Sequence, residues 1–157
     1  MAQGPGQSVA SEHPGVNQSR TAMIYWDTSA LFWRIVERDI AAIQGVTRTH
    51  ALAELFSALT GGGWREELPG GVQRQRRMGT VLAQKSIADL RGRLDFVDLS
   101  ADEVISALAD AKRLRVQGGR VHDLLHMRAA EKARATEFWT VDEHDFERLG
   151  SVAVKLV

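Results

Sequence analysis

The chain has no cysteine. That excludes disulfides and thiolate metal sites; it fits a reducing cytosol, and a cytoplasmic location is expected. Long apolar runs are also missing. No stretch approaches the roughly 20 residues a membrane-spanning helix needs, so no membrane partner is expected. Net charge is absent too, because 20 Lys and Arg balance 20 Asp and Glu. Nothing therefore draws the whole chain to nucleic acid or to a membrane surface, and any such attraction has to come from local charge. What remains is the material of one ordinary domain. A chain of 157 residues that is 44% hydrophobic can bury a core without covalent staples.

The first 22 residues differ from the rest. They are rich in Gly, Pro, Ser and Gln with scattered apolar residues, a composition that buries too little surface to offset its ordering entropy. They also lack the charged-then-apolar layout of a signal peptide. Residues 1–22 are expected to be a disordered extension and 23–157 a single folded domain, with Met23 a candidate start of the folded unit.

From Met23 onward, strand and helix signals alternate. Met23–Trp26 reads as a short buried strand, and Thr28 and Ser29 as caps for a helix over about Ala30–Arg38. Thr49 reads as the cap of a helix reaching Leu59, with Leu52, Leu55, Phe56 and Leu59 at helical spacing. Gly61-Gly62-Gly63 stops it, and Glu66–Gly71 reads as a turn region. A mostly helical pattern covers Val72–Leu90, weakened by Gly79. Strands are expected over Leu94–Leu99, Phe138–Val141 and Val152–Leu156. Helices are expected from the Ser100/Glu103 capping box to Leu114, over Val121–Ala135 and over Glu143–Leu149. Strands that are short, continuously apolar and separated by helices predict an α/β fold: a parallel central sheet with helices on both faces.

Ligands of such sheets bind beyond the carboxyl ends of the strands. Asp27 ends the first strand and Asp142 the Phe138–Val141 strand, so two carboxylates are predicted to share one edge. Glu54 and Asp123 interrupt apolar helix faces and are candidates to join them. Each acid also has a plain structural reading. Asp27, Asp123 and Asp142 lie where caps and helix dipoles favour acids, and Glu54 could be salt-bridged or exposed. As a set they say more, because clustered acids raise one another's pKa values and a bound cation relieves the repulsion. All-oxygen ligands suit hard cations such as Mg2+ or Mn2+, and phosphodiester hydrolysis is chemistry that uses such a centre.

The order D-T-S-A-L (27–31), A-E-L (53–55), H-D-L-L-H (122–126) and W-T-V-D-E-H-D-F (139–146) resembles the PIN domain family, in particular the toxin ribonuclease of VapBC-type toxin–antitoxin modules. The resemblance spans about Met23–Val157. It implies a parallel α/β sheet with the acids at its carboxyl edge. It further implies that Asp27, Glu54, Asp123 and Asp142 bind Mg2+ or Mn2+ and cut RNA. By the same resemblance Ser29 supports the first carboxylate or a metal-bound water, and the expected partners are an RNA substrate, a cognate antitoxin and a second copy of the chain; Asp145 lies near enough to Asp142 to be a supplementary acid.

Other motifs compete. His122 and His126, at i and i+4, share a helix face as in zinc proteases, but Asp123 stands where Glu is required and no third ligand is evident. A zinc hydrolase using these histidines is therefore an alternative, as is a catalytically silent PIN-like module that binds RNA or a partner. Gly61-Gly62-Gly63 is not a phosphate loop, since no Lys-Ser/Thr follows. The stretch Arg74–Arg93 carries six basic residues against one acid. Arg74, Arg76, Arg77 and Lys85 are the candidates there for contact with an RNA backbone or an acidic partner. Trp64 is either a base-stacking platform or a loop anchor.

Overall fold

The computed structural model describes residues 22–157, so the expected extension lies, but for Ala22, outside the described residues. The central sheet is built from β1 (Ile24–Trp26), β2 (Gly45–Thr47), β5 (Leu94–Phe96), β6 (Glu137–Thr140) and β7 (Ala153–Leu156). Its order is β5-β2-β1-β6-β7 and every pairing is parallel. The strand signals over Leu94–Leu99 and Phe138–Val141 resolve into these shorter strands. Helices α1 (Thr28–Val36), α2 (His50–Ser57), α3 (Thr80–Leu90), α4 (Ala101–Ala109), α5 (Ala111–Leu114), α6 (Val121–Lys132) and α7 (Glu143–Phe146) connect them. The architecture is the predicted α/β fold with a parallel sheet, consistent with a PIN-like arrangement. Among the described residues no helix is long and apolar enough to cross a membrane.

Strand alternation divides the core in two. On one face Trp26 packs with Leu31 and Ile35 of α1, Leu55 of α2 and Leu90 of α3. On the other, Tyr25 packs with Phe138, with Leu124, Met127 and Ala130 of α6, and with Phe146 of α7. The parallel register sets Tyr25 beside Phe138 and Trp26 beside Trp139. Accordingly the Tyr25 and Phe138 rings stack at 5.2 Å, and Trp26 and Trp139 meet at 5.0 Å on the opposite face. Such pairs add about 1 kcal/mol each beyond area burial, and they hold β1 against β6, the two strands whose ends carry Asp27 and Asp142.

Local expectations need correction in three places. The cap of α1 is Asp27 itself, whose side chain accepts from the Ala30 amide; Thr28 and Ser29 lie inside the first turn and their hydroxyls serve other groups. Thr49 makes no side-chain cap to α2, because its hydroxyl donates to Asp98 at 2.7 Å. The largest difference lies between Gly61 and Gly79. The expected turn is present at residues 69–71, but it joins the strands of an antiparallel hairpin, β3 (Trp64–Leu68) and β4 (Val72–Arg76), and in place of a long helix from Val72, α3 begins only at Thr80. Strand β4 is exposed along its length, so it buries no face and leaves no alternating apolar signal. Gly63 joins the end of α2's π-helical turn, Ala58–Gly62, to the hairpin. Its φ is 65°, and a Cβ there would collide with the Arg76 carbonyl, so this close approach requires glycine.

Candidate active site

A cavity of about 490 Å3 opens at the carboxyl edge of the sheet, between α1, α2 and α6. Asp27, Ser29, Glu54, His122, Asp123 and His126 all line it. The other wall includes Phe32 and Trp33 of α1 and the Gly62-Gly63 corner. Three of the four predicted acids therefore meet at one cavity. Asp142 follows β6 on the same edge but is exposed and does not line it.

Asp27 is only 4% exposed yet hydrogen-bonded through both oxygens. Its carboxylate accepts from the Ala30 amide at 2.8 Å, from the Ser29 hydroxyl at 2.8 and 3.0 Å, and from the Thr140 hydroxyl at 2.9 Å. Thr140, at the end of β6, also receives the Asp142 amide at 3.2 Å, and Ser29 receives the Val141 amide at 3.2 Å. This network ties the ends of β1 and β6 together. Burial pushes the Asp27 carboxyl above its ordinary range, against the opposing pull of the Ala30 and Ser29 hydrogen bonds.

Asp123 stands in the first turn of α6. Burial, then the neighbouring charge of Asp145, and further the charge of Asp27, push its carboxyl up to about 6. Asp145 itself faces Arg120 at 3.5 Å. Because 6 lies above the usual 3.8, the folded chain holds this proton more tightly than the unfolded one. Stability contributed by the protonated group is therefore present below about pH 4 and is lost as pH rises to about 6. The loss is on the order of 1 kcal/mol once solvent screening at this half-buried group is allowed for. Chemical denaturation in EDTA, compared between wild type and Asp123→Asn across that window, should show this slope in the wild type and its loss in the variant.

Glu54 behaves in the opposite way. Burial pushes it upward, but hydrogen bonds from His126 and Thr28, and the charges of His126 and His50, outweigh that and hold it at about 2. One carboxylate oxygen accepts from the Thr28 hydroxyl and from His126 Nε2, the latter at 2.9 Å. The other faces His122 Nδ1 at 3.3 Å and His50 Nε2 at 3.6 Å. His126 is 3% exposed, and its Nδ1 lies 2.8 Å from the Tyr25 hydroxyl. Burial keeps that hydroxyl protonated. An ionised carboxylate only accepts, so the network places a ring hydrogen on Nε2, while the direction of the Tyr25 contact at Nδ1 follows the protonation of the ring. Tyr25, His126 and Glu54 thus form one chain running from the core into the cavity.

The two hydroxyls of Asp27-Thr28-Ser29 therefore serve different acids: Thr28 supports Glu54, and Ser29 supports Asp27. Sequence reasoning missed three contributors, Tyr25, Thr140 and His50. His50 had a readable signal, since it precedes Glu54 by four residues on α2, whereas Tyr25 and Thr140 look like ordinary strand residues. The basic candidates lie elsewhere. Arg74, Arg77 and Lys85 are exposed on the hairpin, the segment after it and α3, Arg76 is paired with Glu66 at 3.0 Å, and none lines this cavity. Trp64 is half-buried and packs edge-on against Phe32 at 6.3 Å, the geometry of an anchor for the hairpin. The i, i+4 histidines also part company: His126 is absorbed into the core chain, while half-exposed His122 faces the cavity.

No family model, curated protein or solved structure matches the chain.

Proposed function

We propose that the chain is a metal-dependent endoribonuclease, of the kind that serves as the toxin of a toxin–antitoxin pair, with Asp27, Glu54, Asp123 and Asp142 as its acids. One observation carries the reading. Two carboxylates from separate elements, Asp27 and Asp123, line one cavity at the carboxyl edge of a parallel sheet; burial pushes both upward, and the charges of Asp145 and Asp27 add to the push on Asp123. A hard divalent cation relieves such strain and takes oxygen ligands, so Asp27 and Asp123 offer donors of the kind Mg2+ or Mn2+ takes, whereas the group of three ligand atoms within 4.8 Å among the described residues is His50, Glu54 and His122. When bound, the ion supplies Lewis-acid chemistry that activates water and stabilises charge on a phosphodiester.

The protein's own part is positioning. Ser29, Thr140 and the Ala30 amide fix the Asp27 carboxylate, and Thr28 and His126 fix one oxygen of Glu54 and keep the group ionised. Asp123, at about 6, is able to take up or release a proton near neutrality. Trp33, exposed at the cavity wall and backed by buried Phe32, gives a ring on which a nucleobase can stack. The Arg74–Arg93 segment would track the flanking backbone, and an antitoxin with a basic segment would complement the acids. A second copy of the chain as partner rests on the family resemblance.

A silent RNA- or partner-binding module is the second reading. The histidines already paired with Glu54, together with the placement of Asp142 outside the cavity, favour it. Single-turnover cleavage of RNA with and without EDTA separates the two. Cleavage is expected with Mg2+ or Mn2+ and should vanish on chelation. Cleavage that survives metal removal refutes the metal mechanism, and binding without cleavage under every metal supports the silent module.

A further inference from the structure

Helices α2 and α6 bring two imidazoles to the outer oxygen of Glu54. His50 Nε2 is 3.6 Å from that oxygen and His122 Nδ1 is 3.3 Å from it. All three ligand atoms lie within 4.8 Å of one another, and the two rings are parallel within 5° at 5.6 Å. Tetrahedral coordination with bonds of roughly 2.0–2.2 Å places neighbouring ligand atoms about 3.3–3.6 Å apart. Both separations to Glu54 already match that edge, and the two imidazole nitrogens lie within 4.8 Å of each other. Both histidine side chains are about half-exposed (48% and 49%), so an ion reaches them from solvent and keeps an open coordination position.

The support behind the carboxylate is also in place. The inner oxygen of Glu54 is held by Thr28 and His126, and His126 by Tyr25. Hydrogen-bonded partners of this kind orient a ligand and raise its affinity for metal. Two nitrogens and one carboxylate are the wrong donors for Mg2+ and the right ones for a borderline cation.

We propose that His50, Glu54 and His122 form a binding site for a transition-metal cation of the imidazole-seeking class, such as Zn2+, Ni2+ or Co2+. The site is separate from the Asp27 and Asp123 carboxylates and shares only Glu54 with the proposed hydrolytic centre. It stands whether or not the chain cuts RNA.

The test is calorimetric titration of the full, tag-free, EDTA-stripped chain with Zn2+ in excess Mg2+. One tight Zn2+ per chain is expected. The His50→Ala/His122→Ala double variant should lose more than about 100-fold in affinity, since altering even a supporting partner of a metal ligand costs 10–100-fold. Circular dichroism of the metal-free variant checks its fold. Imidazole resonances of the wild type give an answer that needs no variant: Zn2+ should shift His50 and His122 and leave His144 in place. Unchanged Zn2+ affinity in the folded double variant, or shifts confined to other histidines, would overturn the site.

Discussion

Asp27→Asn should reduce metal-dependent RNA cleavage by roughly 1,000-fold, the rate equivalent of about 4 kcal/mol of lost transition-state stabilisation, and should leave the fold intact. The two halves of that expectation have different origins. Asn caps a helix as well as Asp does, so the bond from the Ala30 amide survives. The neutral side chain also removes a buried charge that the folded protein carries at a cost, as the upward push on Asp27 indicates. The melting temperature in EDTA should accordingly equal or exceed that of the wild type. Single-turnover kinetics and a thermal scan on the same preparation check both halves. Undiminished cleavage would remove Asp27 from the mechanism, and a collapsed fold would return it to the role of a structural cap.

His126→Ala should have the largest effect on stability. The ring is almost fully buried, and its loss leaves a cavity, an unpartnered Tyr25 hydroxyl and a Glu54 oxygen short of one donor. Leaving buried polar groups unpaired after truncation costs about 3 kcal/mol in such a network. For a chain of this size that lowers the melting temperature by roughly 6–12 °C. The acid limb should change as well. Glu54 is held at about 2 against its usual 4.5, so its contribution is complete above pH 4.5 and is lost as pH falls toward 2. Without His126 that contribution shrinks, and the variant's disadvantage should narrow in acid. A melting temperature within about 2 °C of wild type would mean that water replaces the ring at little cost.

The four acids were visible as candidates because each breaks a local apolar pattern: Asp27 and Asp142 at strand ends, Glu54 and Asp123 within helices. Their strand-end or helical positions follow from short-range periodicity, and three of them do line one cavity. The hairpin was not legible, because an exposed strand such as Val72–Arg76 has no buried face to write into the sequence. The role of Thr28 was misjudged for a related reason. A hydroxyl at a helix start has a good local partner in the backbone, and only the arrival of Glu54 from α2 gives it a better one.

Local chemistry alone thus decided the alternation of strands and helices, the parallel sheet and the capping box at Ser100 and Glu103, both of whose bonds form. It also marked the edge of the sheet where the carboxylates would be found. Tertiary structure decided which groups meet there. His126 reaches Tyr25 across 101 residues of chain and Glu54 across 72, and His50 meets His122 only because α2 and α6 pack at the same sheet edge. Periodicity is a property of neighbours in sequence, whereas such pairings depend on how two helices are set against a common sheet. The chain is therefore explicit about its acids and about the His122 and His126 pair, but silent about their meeting with His50 at Glu54.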